Sequence, residues 1–244
     1  MVRPGLMAGL VPIWQAYAVR GLQRATATFP ALVISGVLAV TIAVCAGAAG
    51  PVAPAAAATS PRQLITVTAA SHSATYATLR AYRVRDGKRV LVFGPWTARV
   101  GYNGIAPAGA KREGDGRTPS GTYGFSFFFG VRADRGFRYA YRHASAADYW
   151  DDDPSSSRYN EWVDVHKHSA GRDPEPLHVV PAYNYAAVIT YNAARTPGLG
   201  SAIFLHVGTG GPTLGCVSLP QAELIRILRW LRPADHPQIT ITAK

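Results

Sequence analysis

The chain has 244 residues, 48% of them hydrophobic and only 16% charged, with a formal net charge of +11 and a pI of about 10.0. That mix excludes a disordered chain, and without any Lys/Arg block it carries no nucleic-acid-binding signature. It suits one good-sized domain or two small ones, with a charge that favours polyanions, membrane surfaces or an anionic wall.

Taken in chain order, the first signal is a leader. Arg3, Arg20 and Arg24 precede residues 31–50, which hold no charged residue and are rich in Ala, Val and Ile, and no acidic residue comes before Asp86. A basic lead, an apolar run and the small residues Ala46-Gly47-Ala48 predict a secretory signal. The run is also long enough to span a bilayer as an uncleaved anchor, which gives a membrane tether as the alternative. Residues 51–61, rich in Ala and Pro, read as a linker. The expected organisation is therefore 1–50 signal peptide or anchor, 51–61 linker and 62–244 a single domain, in a secreted or cell-envelope protein. Cys45 and Cys216 are the two cysteines of the chain. If the leader is cleaved, a lone thiol remains in an oxidising compartment, where a cysteine is paired with another chain, used chemically or buried inert.

From Gln63 onward the pattern is β. Leu64–Thr68 is β-branched, and Tyr76–Arg85 alternates apolar with polar residues. Asp86-Gly87 predicts a hairpin turn into Arg89–Phe93, followed by a further strand over Trp96–Tyr102. Phe125–Phe129 reads as core, Tyr185–Tyr191 as a buried strand, and Ile203–Val207 and Gln238–Thr242 as later strands. Gln221–Leu231 carries apolar residues at helical spacing, with Pro220 at its start and Pro233 beyond its end. The fold class expected is mainly β: a single β-rich domain with few short helices. Asp151, Asp152 and Asp153 are adjacent, so they point in different directions and read as a solvated turn rather than a calcium loop. His166 and His168 alternate as metal ligands on a strand do, but no carboxylate or cysteine partner is evident, and no metal site is expected.

The residues that carry chemistry lie near the C-terminus. His206 stands near the end of an apolar strand and Cys216 follows ten residues later, after a glycine-rich turn. The glycines let strand end and helix start meet. A cysteine just before a helix is expected to gain thiolate character from the helix N-terminus, and the N–H groups of Gly215 and Cys216 are expected to face an oxyanion. His206 would take the thiol proton, giving the nucleophile–base pair of acyl transfer.

The segment from His206 through Gly215-Cys216-Val217-Ser218-Leu219 resembles the catalytic signature of the L,D-transpeptidases, the YkuD-like domain family. Lys111-Arg112-Glu113-Gly114-Asp115-Gly116-Arg117-Thr118-Pro119 is similar to that family's Lys-x-Gly-Asp-Gly-x-Thr-Pro stretch. Trp150–Pro154 with Tyr159-Asn160, then Leu177-His178, match pieces of exported members. The resemblance covers about Val90 to Leu231. It implies a catalytic set of Cys216, His206 and Gly215, with His178, Thr213 and Ser218 on the substrate side. It further implies attack of Cys216 on a peptidoglycan stem peptide, an acyl-enzyme, and its resolution by an amine, with neither metal nor organic cofactor. Leu214 stands where the family motif has a second histidine, and Ser218 where it has an arginine. Hydrolysis of the same bond by a carboxypeptidase or amidase, and a wall-binding module without activity, are the alternatives.

Overall fold

The computed structural model describes residues 60–244. The expected leader, Cys45 and nearly all of the linker lie outside the described residues. Fifteen strands follow in chain order. They are β1 (Gln63–Ala69), β2 (Tyr76–Arg85), β3 (Lys88–Arg99), β4 (Ile105–Ala106), β5 (Thr118–Pro119), β6 (Gly121–Tyr123), β7 (Phe125–Gly130) and β8 (Tyr141–His143). The second half supplies β9 (Asp148–Trp150), β10 (Trp162–Asp164), β11 (Glu175–Pro176), β12 (Ala186–Ile189), β13 (Phe204–Val207), β14 (Val217–Leu219) and β15 (Gln238–Ala243), with helix α1 (Gln221–Trp230) between the last two.

Ten strands form one sheet in the order β6-β15-β1-β2-β3-β14-β13-β12-β7-β8. A three-stranded sheet, β10-β9-β11, and the pair β4-β5 stand apart from it. The expected mainly β architecture is what the chain adopts. Two boundaries differ from expectation. Arg89–Phe93 and Trp96–Tyr102 merge into the single strand β3, running through Gly94-Pro95, and the buried strand expected over Tyr185–Tyr191 shortens to β12.

The sheet separates two apolar layers, because side chains alternate across a strand. On one face Ile65, Val67, Leu79, Ala187, Leu205, Val207, Val217 and Leu219 pack with Leu224, Ile227 and Leu228 of α1. On the other, Phe129, Ala186, Val188, Phe204 and Cys216 pack with Trp150, Leu177 and Tyr183. Each large side chain so buried stabilises the fold by about 1.5–3 kcal/mol. The helix covers the first face and the β9–β11 segment the second, and the site forms on the second.

Candidate active site around Cys216

β13 and β14 run parallel, with Leu205 opposite Val217 and His206 opposite Ser218. That register sends Leu205 and Val217 into the helix-covered core. It leaves Phe204, His206, Cys216 and Ser218 together on the opposite face of the sheet. The expected catalytic residues Cys216 and His206 thus share one face of two adjacent strands, offset by one side-chain row because His206 pairs with Ser218 and Cys216 lies beside Phe204.

The turn before Cys216 is held by two threonines. Thr213 Oγ1 donates to the Cys216 carbonyl at 2.7 Å and accepts from the Gly215 N–H at 3.2 Å. Thr118 Oγ1, from the Thr-Pro of β5, donates to the same carbonyl at 3.1 Å and accepts from Gly101 N–H at 2.9 Å. Gly215 has φ +151°, and a Cβ there would lie 3.1 Å from the Arg117 carbonyl oxygen, so the position requires glycine. Ahead of Thr118, Asp115 organises its loop by accepting from Lys111 Nζ and from the backbone N–H groups of Arg112 and Arg117. The Gly-Asp-Gly-x-Thr-Pro stretch therefore shapes the seat of Cys216.

The thiol is enclosed, with Cys216 only 6% exposed. Sγ donates to the Ala202 carbonyl at 3.2 Å and accepts from Phe204 N–H at 3.3 Å. Burial pushes its pKa well up, and the carboxyls of Glu175 and Asp152 push in the same direction; the Phe204 N–H and Lys111 act against them. The expected helix-dipole effect is absent for a geometric reason. β14 lies between Cys216 and α1, so the thiol sits at a strand start and not at a helix N-terminus. The Gly215 N–H, expected to face an oxyanion, is engaged by Thr213.

His206 is buried beside the ring of Tyr183, edge to face at 5.4 Å. Its Nδ1 lies 2.9 Å from the Val207 carbonyl oxygen. A carbonyl only accepts, so Nδ1 carries the proton and Nε2 of the neutral ring is left as the acceptor. Burial lowers the His206 pKa from 6.5 to about 4, against the opposing effect of the Val207 and Ala182 carbonyls. The ring is therefore neutral at neutral pH. Among the described residues no hydrogen bond joins Sγ to this ring; the thiol is turned towards Ala202.

The remaining expected residues fall in different places. Thr213 is committed to the Cys216 turn. Ser218 shares the His206 face, and its Oγ is buried with no hydrogen-bond partner. His178 is exposed next to buried Leu177. His166 and His168 lie in a turn after β10, and among the described residues no group of His, Cys, Asp and Glu is arranged to hold a metal.

Of the three adjacent aspartates, Asp153 caps a turn by accepting from Ser155, but Asp151 and Asp152 are not the solvated pair expected. Asp151 is fully buried and accepts from Ser156 Oγ at 2.5 Å and from Asp153 N–H at 3.0 Å. Asp152 joins a buried polar group behind the thiol. Ser201 Oγ lies 2.7 Å from Glu113 Oε2 and 2.8 Å from Asp152 Oδ1, and the Tyr159 hydroxyl also bonds Glu113 Oε2. These are three oxygen–oxygen contacts with two hydroxyl protons between them. The third proton must come from a carboxyl. Asp152 is the carboxyl that holds it, since burial first, then Glu175, raises its pKa well above the carboxylate range. Glu175, bonded by the Tyr183 hydroxyl, is also raised, to about 7, chiefly by burial. Reasoning from sequence missed this group because Glu113, Asp152, Glu175 and Ser201 come from four distant segments. The matching segments Lys111–Pro119, Trp150–Pro154 and Tyr159-Asn160 contain three of its members, but nothing in them says that those members meet.

A free thiol and a neutral imidazole on one sheet face, with the thiol's backbone clamped by two hydroxyls, is an arrangement suited to covalent acyl transfer. Residues 63–241 match the family model of the L,D-transpeptidase catalytic domain (YkuD). The chain belongs to that family. No curated protein sequence matches it significantly. Among solved structures it is similar to the helical cell shape determining protein Pgp2 from Campylobacter jejuni, at 15% identity and a TM-score of 0.35. That match covers 75% of this chain and 48% of the other, so the chain spans about half the length of Pgp2. As an L,D-transpeptidase-family domain, it presents Cys216 on the face of the sheet opposite α1.

Proposed function

We propose that the protein is an exported peptidoglycan L,D-transpeptidase in which Cys216 is the nucleophile and His206 its base. The carrying observation is that Cys216 and His206 share one sheet face while Thr118 and Thr213 fix the Cys216 carbonyl. For the reaction the thiol must leave the Ala202 carbonyl, to which it donates at 3.2 Å, and turn to His206 on the same sheet face. Nε2 then takes the thiol proton, and Sγ attacks the carbonyl between the third and fourth residues of a stem peptide. The proton passes to the departing amine, the terminal D-amino acid leaves, and a thioester remains. An amine of a neighbouring stem gives its proton back to His206 and displaces Sγ, forming the cross-link. Water in place of the amine makes the same site a carboxypeptidase.

The test is incubation of the protein with purified tetrapeptide muropeptides, with products read by mass spectrometry beside a Cys216→Ala control. Cross-linked dimer that disappears in the control is expected. Tripeptide without dimer would move the activity to hydrolysis. No turnover, together with an unlabelled Cys216 under a thiol probe, would overturn the enzyme reading in favour of a wall-binding role.

A further inference from the structure

The hairpin of β2 and β3 runs on past its own sheet. β1 accompanies β2 only as far as Gln63 opposite Arg83, and β14 meets β3 at Ser218 opposite Arg99. Residues 84–90 therefore form a two-stranded ribbon with no third strand on either edge. Its pairs are Arg83 with Val90, Val84 with Arg89, and Arg85 with Lys88.

Two properties of this ribbon are unusual together. The first is charge. Arg83 and Arg85 line a groove with Arg62 and Arg232 at the ribbon's base, Lys88 extends that basic face to the tip, and Arg89 stands on the ribbon's other face. Asp235 in the groove is already paired with Arg62 at 2.9 Å, and Asp86 stands in the turn. Among the described residues no carboxylate pairs with the other five basic side chains. The second is exposed apolar surface. Val90, opposite Arg83 in the register and so on the same face as Arg83, Arg85 and Lys88, is 58% exposed.

We propose that the ribbon and its arginine groove dock on the surface of an anionic lipid bilayer. Guanidinium forks take lipid phosphates, and Val90 enters the headgroup layer. A soluble polyanion would satisfy the arginines but offers nothing to Val90 among them. Position favours the bilayer as well. Arg62 is where the described domain receives the chain from residues 1–59, and residues 31–50 carry no charge. If residues 31–50 enter a bilayer as an anchor, the eleven residues 51–61, which reach at most about 40 Å when extended, are the leash that holds the domain to it. The proposal does not depend on the role of Cys216.

The experiment is hydrogen exchange of the full chain with vesicles of phosphatidylglycerol, of phosphatidylcholine, or with soluble polyphosphate. The amides of residues 84–91 are expected to exchange about tenfold more slowly with phosphatidylglycerol vesicles alone, with the effect weakened by salt. It is expected to vanish in an Arg83→Glu/Arg85→Glu variant. Should that variant fail to fold, Lys88→Glu/Arg89→Glu at the exposed tip replaces it. No slowing on phosphatidylglycerol, equal slowing on phosphatidylcholine, or slowing by polyphosphate instead of vesicles would overturn the proposal. Muropeptide turnover is read separately, so failure of either reading is distinguishable from failure of the other.

Discussion

At the scale of single residues, the thiol's surroundings are more acidic than a reactive cysteine usually tolerates. Glu175 and Asp152 both oppose the thiolate, and what limits their effect is that Asp152 is held neutral within the Glu113–Ser201 group. This proton inventory has a direct consequence. Asp152→Asn keeps a donor facing Ser201 Oγ and is expected to change stability by less than about 1 kcal/mol. Ser201→Ala leaves two enclosed carboxyls without their bridge and is expected to cost about 1–3 kcal/mol. Urea denaturation of the two variants checks the order, and an Asp152→Asn loss as large as that of Ser201→Ala would mean that Asp152 is ionised. None of this was legible from Asp151-Asp152-Asp153 alone. A run of acids has the same local pattern whether water or Ser201, 49 residues away, satisfies it.

At the scale of elements, legibility followed the range of the interactions. β1, the β2–β3 hairpin, β13, β15 and α1 were readable because alternation, an Asp-Gly turn and helical spacing are local signals. The short strands β4 to β6 and β8 to β11 exist only through distant pairing and left no periodicity to find. β14 belongs with them. Three residues long and tucked beside β13, it was read as part of the approach to α1, which is why a helix-dipole effect on Cys216 was expected and is not present. The turn into β14 makes its own prediction. Gly215→Ala places a Cβ at φ +151° against the Arg117 carbonyl and is expected to cost about 1–3 kcal/mol in backbone strain. Because the shift is passed to Cys216, alkylation of the thiol is expected to change in rate along with the loss of melting temperature. A loss of stability with an unchanged alkylation rate would show that the turn does not position the thiol.

At the scale of the whole molecule, buried titratable groups tie stability to pH. Glu175 has its pKa raised from 4.5 to about 7 in the folded chain. A carboxyl raised on folding contributes stability that is complete below 4.5 and is lost as pH rises through about 7. Glu175→Gln mimics the protonated form at every pH. The melting temperature of this variant minus that of the parent is expected to grow between pH 4.5 and about 7 and to be flat on either side. A difference that shrinks across that window would reverse the assignment. His206, lowered from 6.5 to about 4, contributes with the opposite sign, its stability being lost as pH falls through that range, so only the difference between variants isolates Glu175.

The order of the large sheet has a consequence for the life of the chain before it folds. β15 lies between β6 and β1, pairing parallel with one and antiparallel with the other, so the sheet has a gap until residues 238–243 are made. A ribosome therefore releases nearly the whole polypeptide before β15 joins β6 to the sheet and covers the outer edge of β1. Until that last strand arrives, β1 offers a row of unpaired backbone groups to any neighbouring chain.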